Sequence, residues 1–189
     1  TVGVVTESED PRLKVIEVTP YRTESTYSDA RRPDSVEFGV SLEEDLKRRD
    51  FTVNAIAYRL KDEKVVDLFN GEKDIKKKRI VAVGKATERF AEDALRMMRA
   101  VRLAVELDFV MDGDTMSAIA ENSANLGRIS KERIRDEFTR ILESKQPMQG
   151  IIFLEKLELL QYVAPDLLRG IGIEQNQAHA YDVYEHLLR

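Results

Sequence analysis

The sequence predicts an α+β protein, with a partial mixed-sheet N-terminal piece followed by an all-helical remainder. Three observations carry that prediction. Short β-branched runs broken by polar turn residues fill the first 80 positions. From Phe90 onward, apolar residues recur at helical spacing instead. Hydrophobic residues make up 42% of the 189, enough to build a packed core and too many for a disordered chain.

The elements follow in order. Val2–Val5 and Leu13–Val18 flank the polar, proline-closed stretch Glu7–Pro11, a pattern that predicts a β-hairpin. From Thr19 to Ser41 tyrosines, arginines, serines and two prolines replace any periodic apolar signal, so a long loop is expected. Ser41 with Glu44 three residues on is a capping box opening a helix through Leu42 and Leu46. Val53–Leu60 and Val65–Phe69 bracket Lys61-Asp62-Glu63-Lys64, a second hairpin, and Asn70-Gly71 supplies a turn. Basic Lys73–Arg79 and then Val81–Gly84 close the mixed region.

Beyond it, Phe90, Ala94, Met97, Val101 and Val105 fall at steps of 4, 3, 4 and 4, one face of a helix read as continuous. Residues 116–124, 131–143, 148–157 and 181–188 give further helical windows, interrupted by Gly127, Pro147, Pro165 and Gly170. The expected divisions are residues 1–80, 81–146 and 147–189. The first holds too few strands to close a core alone, and Arg189 falls inside a helical pattern, so flanking segments are expected at both ends.

Composition excludes several classes. With no cysteine there is no disulfide, thiolate metal site or cysteine nucleophile. No apolar run approaches the roughly 20 residues of a membrane span, and no leader opens the chain, so a cytoplasmic protein is expected. Thirty basic against 35 acidic side chains, a net charge of −5, argue against indiscriminate nucleic-acid binding while allowing a local basic surface.

Two clusters could carry chemistry. Arg48-Arg49-Asp50 with Asn54, at the end of the capped helix, offers guanidinium forks for phosphate beside groups that can hold sugar hydroxyls. Helix-terminal positive charge complementing the dipole is the other reading. In the second cluster, Glu92 precedes Arg96 by four residues and would orient its guanidinium. Asp93, three before Arg96, sets an acceptor beside a donor, matching the edge shared by adenine and cytosine and excluding guanine and uracil. A solvated helix face laced with ion pairs is the alternative. Arg96, Arg99 and Arg102 have no interleaved acids, so mutual repulsion would call for anions nearby.

The ordered combination resembles the class II CCA-adding tRNA nucleotidyltransferase and poly(A) polymerase family. Ile16–Glu24 resembles the strand entering that family's flexible loop, and Tyr27–Asp34 the loop itself. Arg48–Ala55, Asp67–Gly71 with Asp74, Glu92–Arg96 and Ile129–Ile134 resemble successive motifs of head and neck. The resemblance implies a nucleotidyltransferase head at 1–80, a nucleotide-selecting neck at 81–146 and the start of a helical body at 147–189. It implies that Arg49 contacts phosphate or sugar, that Asp50 and Asn54 hold the ribose, and that Asp93 and Arg96 read incoming ATP or CTP. Arg99 and Arg102 would contact the triphosphate.

The same resemblance implies magnesium held by an Asp-x-Asp pair, which two-metal nucleotidyl transfer requires. Asp112-Gly113-Asp114 has the spacing but reads as a loop and helix cap, so the main metal ligands are expected before Thr1. Glu17 is a candidate further carboxylate at the catalytic centre, or an ordinary exposed strand residue. Gln175–Leu188 resembles the opening of an HD-type phosphohydrolase domain. There His186 would be a first metal ligand, its His-Asp partners falling beyond Arg189; His179 and His186 otherwise read as surface or core-packing residues.

Lys73, Lys76, Lys77, Lys78 and Arg79 form either a solvated turn or a contact to RNA backbone. The implied function is addition of CMP and AMP from CTP and ATP to a tRNA 3′ end, with pyrophosphate released. A poly(A) polymerase or A-only enzyme of the same family, a non-catalytic RNA- and nucleotide-binding subunit, and an HD-type hydrolase stay open. Neither DNA nor membrane is expected as a partner.

Overall fold

The computed structural model describes residues 1–24, 36–174 and 181–188. The N-terminal elements are short ribbons. β1 (Val2–Val5) and β2 (Val15–Val18) form the expected antiparallel hairpin, with Gly3 opposite Glu17. β3 (Arg22–Glu24) pairs with β4 (Val36–Phe38), so short strands lie inside the stretch read as loop; Tyr27–Asp34 falls outside the described residues. α1 (Leu42–Lys47) opens with the predicted capping box: Ser41 accepts from the Glu44 amide, and Glu44 accepts from the Ser41 amide at 2.9 Å.

After the 3₁₀ turn Thr52–Asn54, β5 (Ile56–Arg59) and β6 (Lys64–Asp67) make the second predicted hairpin. Then comes α2 (Gly71–Lys76), a helix where a turn was expected. Asn70 does adopt a left-handed conformation, and Asp67 caps the helix, accepting from the amides of Gly71 at 2.8 Å and Glu72 at 2.9 Å. β7 (Arg79–Ile80) completes the region.

The helical region holds α3 (Ala86–Glu92), α4 (Leu95–Leu107), the strand β8 (Val110–Met111), α5 (Gly113–Asn122) and the 3₁₀ segment Ser123–Arg128. α6 (Lys131–Leu142), α7 (Pro147–Lys156), α8 (Leu160–Val163), α9 (Pro165–Leu168) and α10 (Val183–Leu187) follow. Among the described residues no helix is long and apolar enough to cross a membrane.

The α+β class stands, but the strands do not merge into one mixed sheet. Among the described residues they form four two-stranded pairs, of which β7–β8 alone is parallel. The predicted apolar face is buried as read: Phe90, Ala94, Met97, Val101 and Val105 all lie in the core. The helix carrying it is not continuous. Asp93 is extended, with φ −140° and ψ 103°, and its carboxylate accepts from the Leu95 amide at 3.1 Å, restarting the helix as α4.

One core runs from Phe51 and Ile80 through α4 to Leu160 and Tyr184. α4 lies at its centre against α6 and α7, while α3 packs on α5. The segment after α1 docks onto this core through backbone bonds from Thr52 to Val81 (2.9 Å) and from Val83 to Asp50 (3.0 Å). Below it, Thr52 Oγ1 donates to buried Asp74 Oδ2 at 2.8 Å, and Arg79 Nη2 donates to Asp74 Oδ1 at 2.8 Å.

That docking requires a residue without a side chain at position 71. A Cβ on Gly71 would penetrate the Thr52 carbonyl oxygen and approach Ile56 Cγ1 to 2.8 Å. Gly71→Ala should therefore destabilise the protein by about 1–3 kcal/mol, as overpacked sites do. Thermal melting should register a fall of several degrees, at roughly 2–4 °C per kcal/mol.

Candidate functional site

Between the N-terminal ribbons and the start of α4 lies a cleft of about 720 Å³, lined by Glu17, Arg22, Arg48, Arg49, Asp50, Asn54, Arg96 and Arg99. The volume suits a small-molecule ligand of nucleotide size. Five arginines face two carboxylates across it, on a protein whose net charge is −5. Such a concave positive surface concentrates anions.

Each wall is built locally. α1 ends at Arg48, and the two arginines there are held from behind by buried Asp45. Arg48 Nη2 reaches Asp45 Oδ1 at 2.7 Å, and Arg49 Nη2 lies 3.4 Å from Oδ2. Arg49 Nη1 also donates to the Asn54 carbonyl at 3.0 Å. Asp50 Oδ1 accepts from the Phe51 amide at 2.8 Å and from Asn54 Nδ2 at 3.2 Å, closing the turn on itself. Its Oδ2 lies 2.8 Å from Arg99 Nη2, which bridges this wall to α4.

Arg96 is the most constrained cation in the cleft, at 8% exposure. As expected, Glu92 orients it, with Oε2 accepting from Nη1 at 2.7 Å. Two carbonyls hold it further: Arg89 O accepts from Nη1 at 3.2 Å, and Arg48 O from Nη2 at 3.1 Å. Arg89, which sequence reasoning passed over, binds Glu92 from the other side and donates to the Lys47 carbonyl at 3.2 Å. What marks it is its place three residues before Glu92.

Asp93 does not lie beside Arg96 on one helical face, because the helix breaks there. Its Oδ2 pairs with Arg133 Nη2 at 3.0 Å, a partner supplied by α6 that no local spacing could reveal. Each carboxylate oxygen retains a lone pair for a further donor. Arg102 is corrected more fully. It is buried at 5% exposure, bonded to Glu137 Oε2 at 2.7 Å and Glu106 Oε2 at 2.9 Å, and it lines no part of the cleft. The expected need for anions along Arg96, Arg99 and Arg102 is thus met by Glu92, Asp50, Glu106 and Glu137.

Glu17 reaches the cleft from β2, whose four residues are all exposed. The Asp112-Gly113-Asp114 run is the helix cap it was read to be, with Asp112 accepting from the Asp114 amide. His186 sits exposed on α10, and His179 lies outside the described residues. Among the described residues no three histidine or carboxylate groups cluster as metal ligands. Glu17, with Asp50 paired to Arg99, would supply one carboxylate to a magnesium site that needs others, and His186 would likewise be one ligand of a larger set. Of the basic run, Lys78 pairs with Asp108 and Arg79 with Asp74, while Lys73, Lys76 and Lys77 are exposed around the end of α2.

A turn from the N-terminal α/β region and the first turns of a buried helix thus wall one arginine-rich cleft, a surface suited to a phosphate-bearing anion. Consistent with this, residues 1–81 match the poly A polymerase head domain, and residues 108–170 match a probable RNA and SrmB-binding site of polymerase A. The CCA-adding enzyme of Ligilactobacillus salivarius is 55% identical over 77% of this chain and 36% of its own length. Among solved structures, the Bacillus stearothermophilus CCA-adding enzyme in complex with CTP aligns with a TM-score of 0.75 at 40% identity, covering 88% of this chain and 40% of that one. The Thermotoga maritima CCA-adding enzyme complexed with tRNA aligns at a TM-score of 0.59 and 29% identity, over 69% of this chain and 36% of that one. The chain belongs to the CCA-adding tRNA nucleotidyltransferase and poly(A) polymerase family. It spans little more than a third of the length of these curated relatives.

The cleft has an acid-sensitive support. Burial pushes the Asp45 carboxyl up, but the Arg48 hydrogen bonds and charge, the Arg22 amide and Arg49 outweigh it and hold it below its ordinary 3.8. A carboxyl depressed in the folded state stabilises the protein above its unfolded value and loses that contribution as pH falls through the folded value. Acid unfolding of wild type should therefore steepen below about pH 4, whereas Asp45→Asn should flatten that arm; parallel melts across pH 2–6 check it.

Proposed function

We propose that this protein acts in template-independent RNA nucleotidyl transfer, adding CMP and AMP from CTP and ATP to the 3′ end of tRNA and releasing pyrophosphate. The observation that carries the reading is the cleft, where five arginines converge on a protein of net negative charge. The relatives that share this chain's sequence are CCA-adding enzymes, which supports the substrate class.

In this reading residues 1–80 serve as the head, 81–146 as the neck and 147–189 as the start of the body. Arg49 and Arg99 receive the triphosphate, their planar forks suited to phosphate oxygens. Asp50 and Asn54, already bonded to each other, shape the ribose wall. Arg96 is fixed by Glu92 and by backbone carbonyls on Nη1 and Nη2, which leaves Nε–H and part of Nη2 for the ring nitrogen of adenine or cytosine. Asp93, anchored by Arg133, accepts from the exocyclic amino group. Guanine and uracil present the opposite order of donor and acceptor and meet like against like.

Glu17 is the proposed catalytic carboxylate, standing at the cleft edge. Magnesium, implied by the family, needs carboxylates beyond Glu17 and has no ligand set among the described residues. The protein is proposed to work in the cytoplasm.

Incubating the full-length protein with tRNA lacking its 3′ end, labelled CTP or ATP, and magnesium tests the reading. Incorporation of CMP followed by AMP is expected. Incorporation of AMP alone would move the protein to A-only addition, and no incorporation would leave nucleotide and RNA binding without transfer. Arg96→Ala should cut the preference for ATP and CTP over UTP and GTP by about tenfold or more, and unchanged discrimination would sink the base-reading role. Glu17→Ala should lower kcat about tenfold or more with the nucleotide KM nearly unaltered; a wild-type rate would make it an ordinary strand residue.

A further inference from the structure

Behind the arginines of the cleft lies a carboxylate that bonds to them without lining the cleft itself. Asp45, on α1, is 3% exposed. Its Oδ1 accepts from Arg48 Nη2 at 2.7 Å, from Arg48 Nε at 3.1 Å and from the main-chain N–H of Arg22 at 3.4 Å. Oδ2 faces Arg49 Nη2 at 3.4 Å. Arg48 Nε also donates to the Arg22 carbonyl at 3.0 Å. Asp45 and Arg48 together therefore hold both backbone groups of Arg22, the first residue of β3.

The connection continues into the neck. The main-chain carbonyl of Arg48 accepts from Arg96 Nη2 at 3.1 Å. A series of bonds thus runs from β3 through Asp45 and Arg48 to the guanidinium assigned to the base. α1 has six residues, too few to be stable alone, so the place of its last carbonyls depends on what anchors it. Asp45 sits one turn before that end and is its buried charged anchor. It also neutralises Arg48 and Arg49, neighbouring cations that would otherwise push apart across the wall.

We propose that Asp45 is a positioning residue for nucleotide selection: it locks the end of α1 to β3 so that the Arg48 carbonyl holds Arg96 in base-reading geometry. The inference rests on the reading of Arg96 given above. It assigns no contact between Asp45 and the nucleotide. Replacement by asparagine preserves shape but removes the charge and the second strong acceptor, so both the Arg48 fork and its carbonyl gain freedom.

The experiment compares wild type, Asp45→Asn and Arg48→Gln as full-length proteins, measuring kcat/KM for ATP, CTP, UTP and GTP on tRNA lacking its 3′ end, with thermal melts alongside. In Asp45→Asn the ratio of ATP and CTP over UTP and GTP should fall roughly tenfold, mostly through KM for the favoured nucleotides. Arg48→Gln, which breaks the same link from the other side, should lower the ratio to a similar extent. A merely structural role would lower the melting temperature and scale all four substrates equally. An unchanged ratio in folded Asp45→Asn overturns the proposal. If that variant shows no folding transition, Arg48→Gln decides: a lowered ratio upholds the proposal and a wild-type ratio overturns it. Wild-type protein that adds neither CMP nor AMP overturns the proposed function and this inference with it. Wild-type addition with unaltered selectivity in the variants overturns this inference alone.

Discussion

The last carbonyls of a helix have no partners within it, and at the end of α1 two guanidinium groups supply them. Arg89 donates to Lys47 O and Arg96 to Arg48 O, both reaching across from the helical region. These bonds set the N-terminal wall against the helical region. They also hold Arg96 still, because a guanidinium that spends donors on backbone carbonyls and on Glu92 has little rotational freedom left. Without them a short helix would have a frayed end, and the nearly buried Arg96 would keep only Glu92 and the Arg89 carbonyl. Cleft geometry and the join between the regions both rest on this one junction, and so does the proposed base discrimination.

The acids explain how so many arginines coexist. Arg48 has Asp45, Arg99 has Asp50, Arg96 has Glu92, and Arg102 has Glu106 and Glu137. Burying a charge is costly unless it is paired and hydrogen-bonded, and here the pairing lies mostly behind the cleft surface. The front is left with cationic character while the back is neutralised. A ligand phosphate then meets donors already oriented, with little reorganisation to be overcome on binding.

What could be read from the sequence was local. The capping box at Ser41, the hairpins around Glu7–Pro11 and Lys61–Lys64, and the apolar face from Phe90 to Val105 all depend on neighbours within a few positions. The Glu92–Arg96 pair survives for the same reason, even though a break at Asp93 separates the two residues into different helices. That break preserves the apolar spacing, so periodicity could not detect it. The rest needed distant partners. Arg133 comes to Asp93 from α6, and Glu137 to Arg102 from the same helix. The repulsion expected among the three arginines is relieved partly on their own helix, by Glu106 one turn after Arg102, and otherwise by Glu92, Asp50 and Glu137 from outside it. β8, two residues long, has no pattern of its own and exists because it finds β7.

That parallel pair has a topological meaning. Val110 N donates to Lys78 O at 2.9 Å and Asp112 N to Ile80 O at 3.0 Å, so the chain from β7 to β8 closes into a ring containing α3 and α4. Arg96 and Arg99, which line the cleft from the helical side, both belong to that ring. Closing a ring of this length costs entropy once, and after that its members share one fate. Local opening of α3 cannot propagate outward without parting the strands, so the ring should open as a single unit with the core rather than fray. A nucleotide contacting it anywhere along its arginines would meet one rigid body, not a set of independently moving turns.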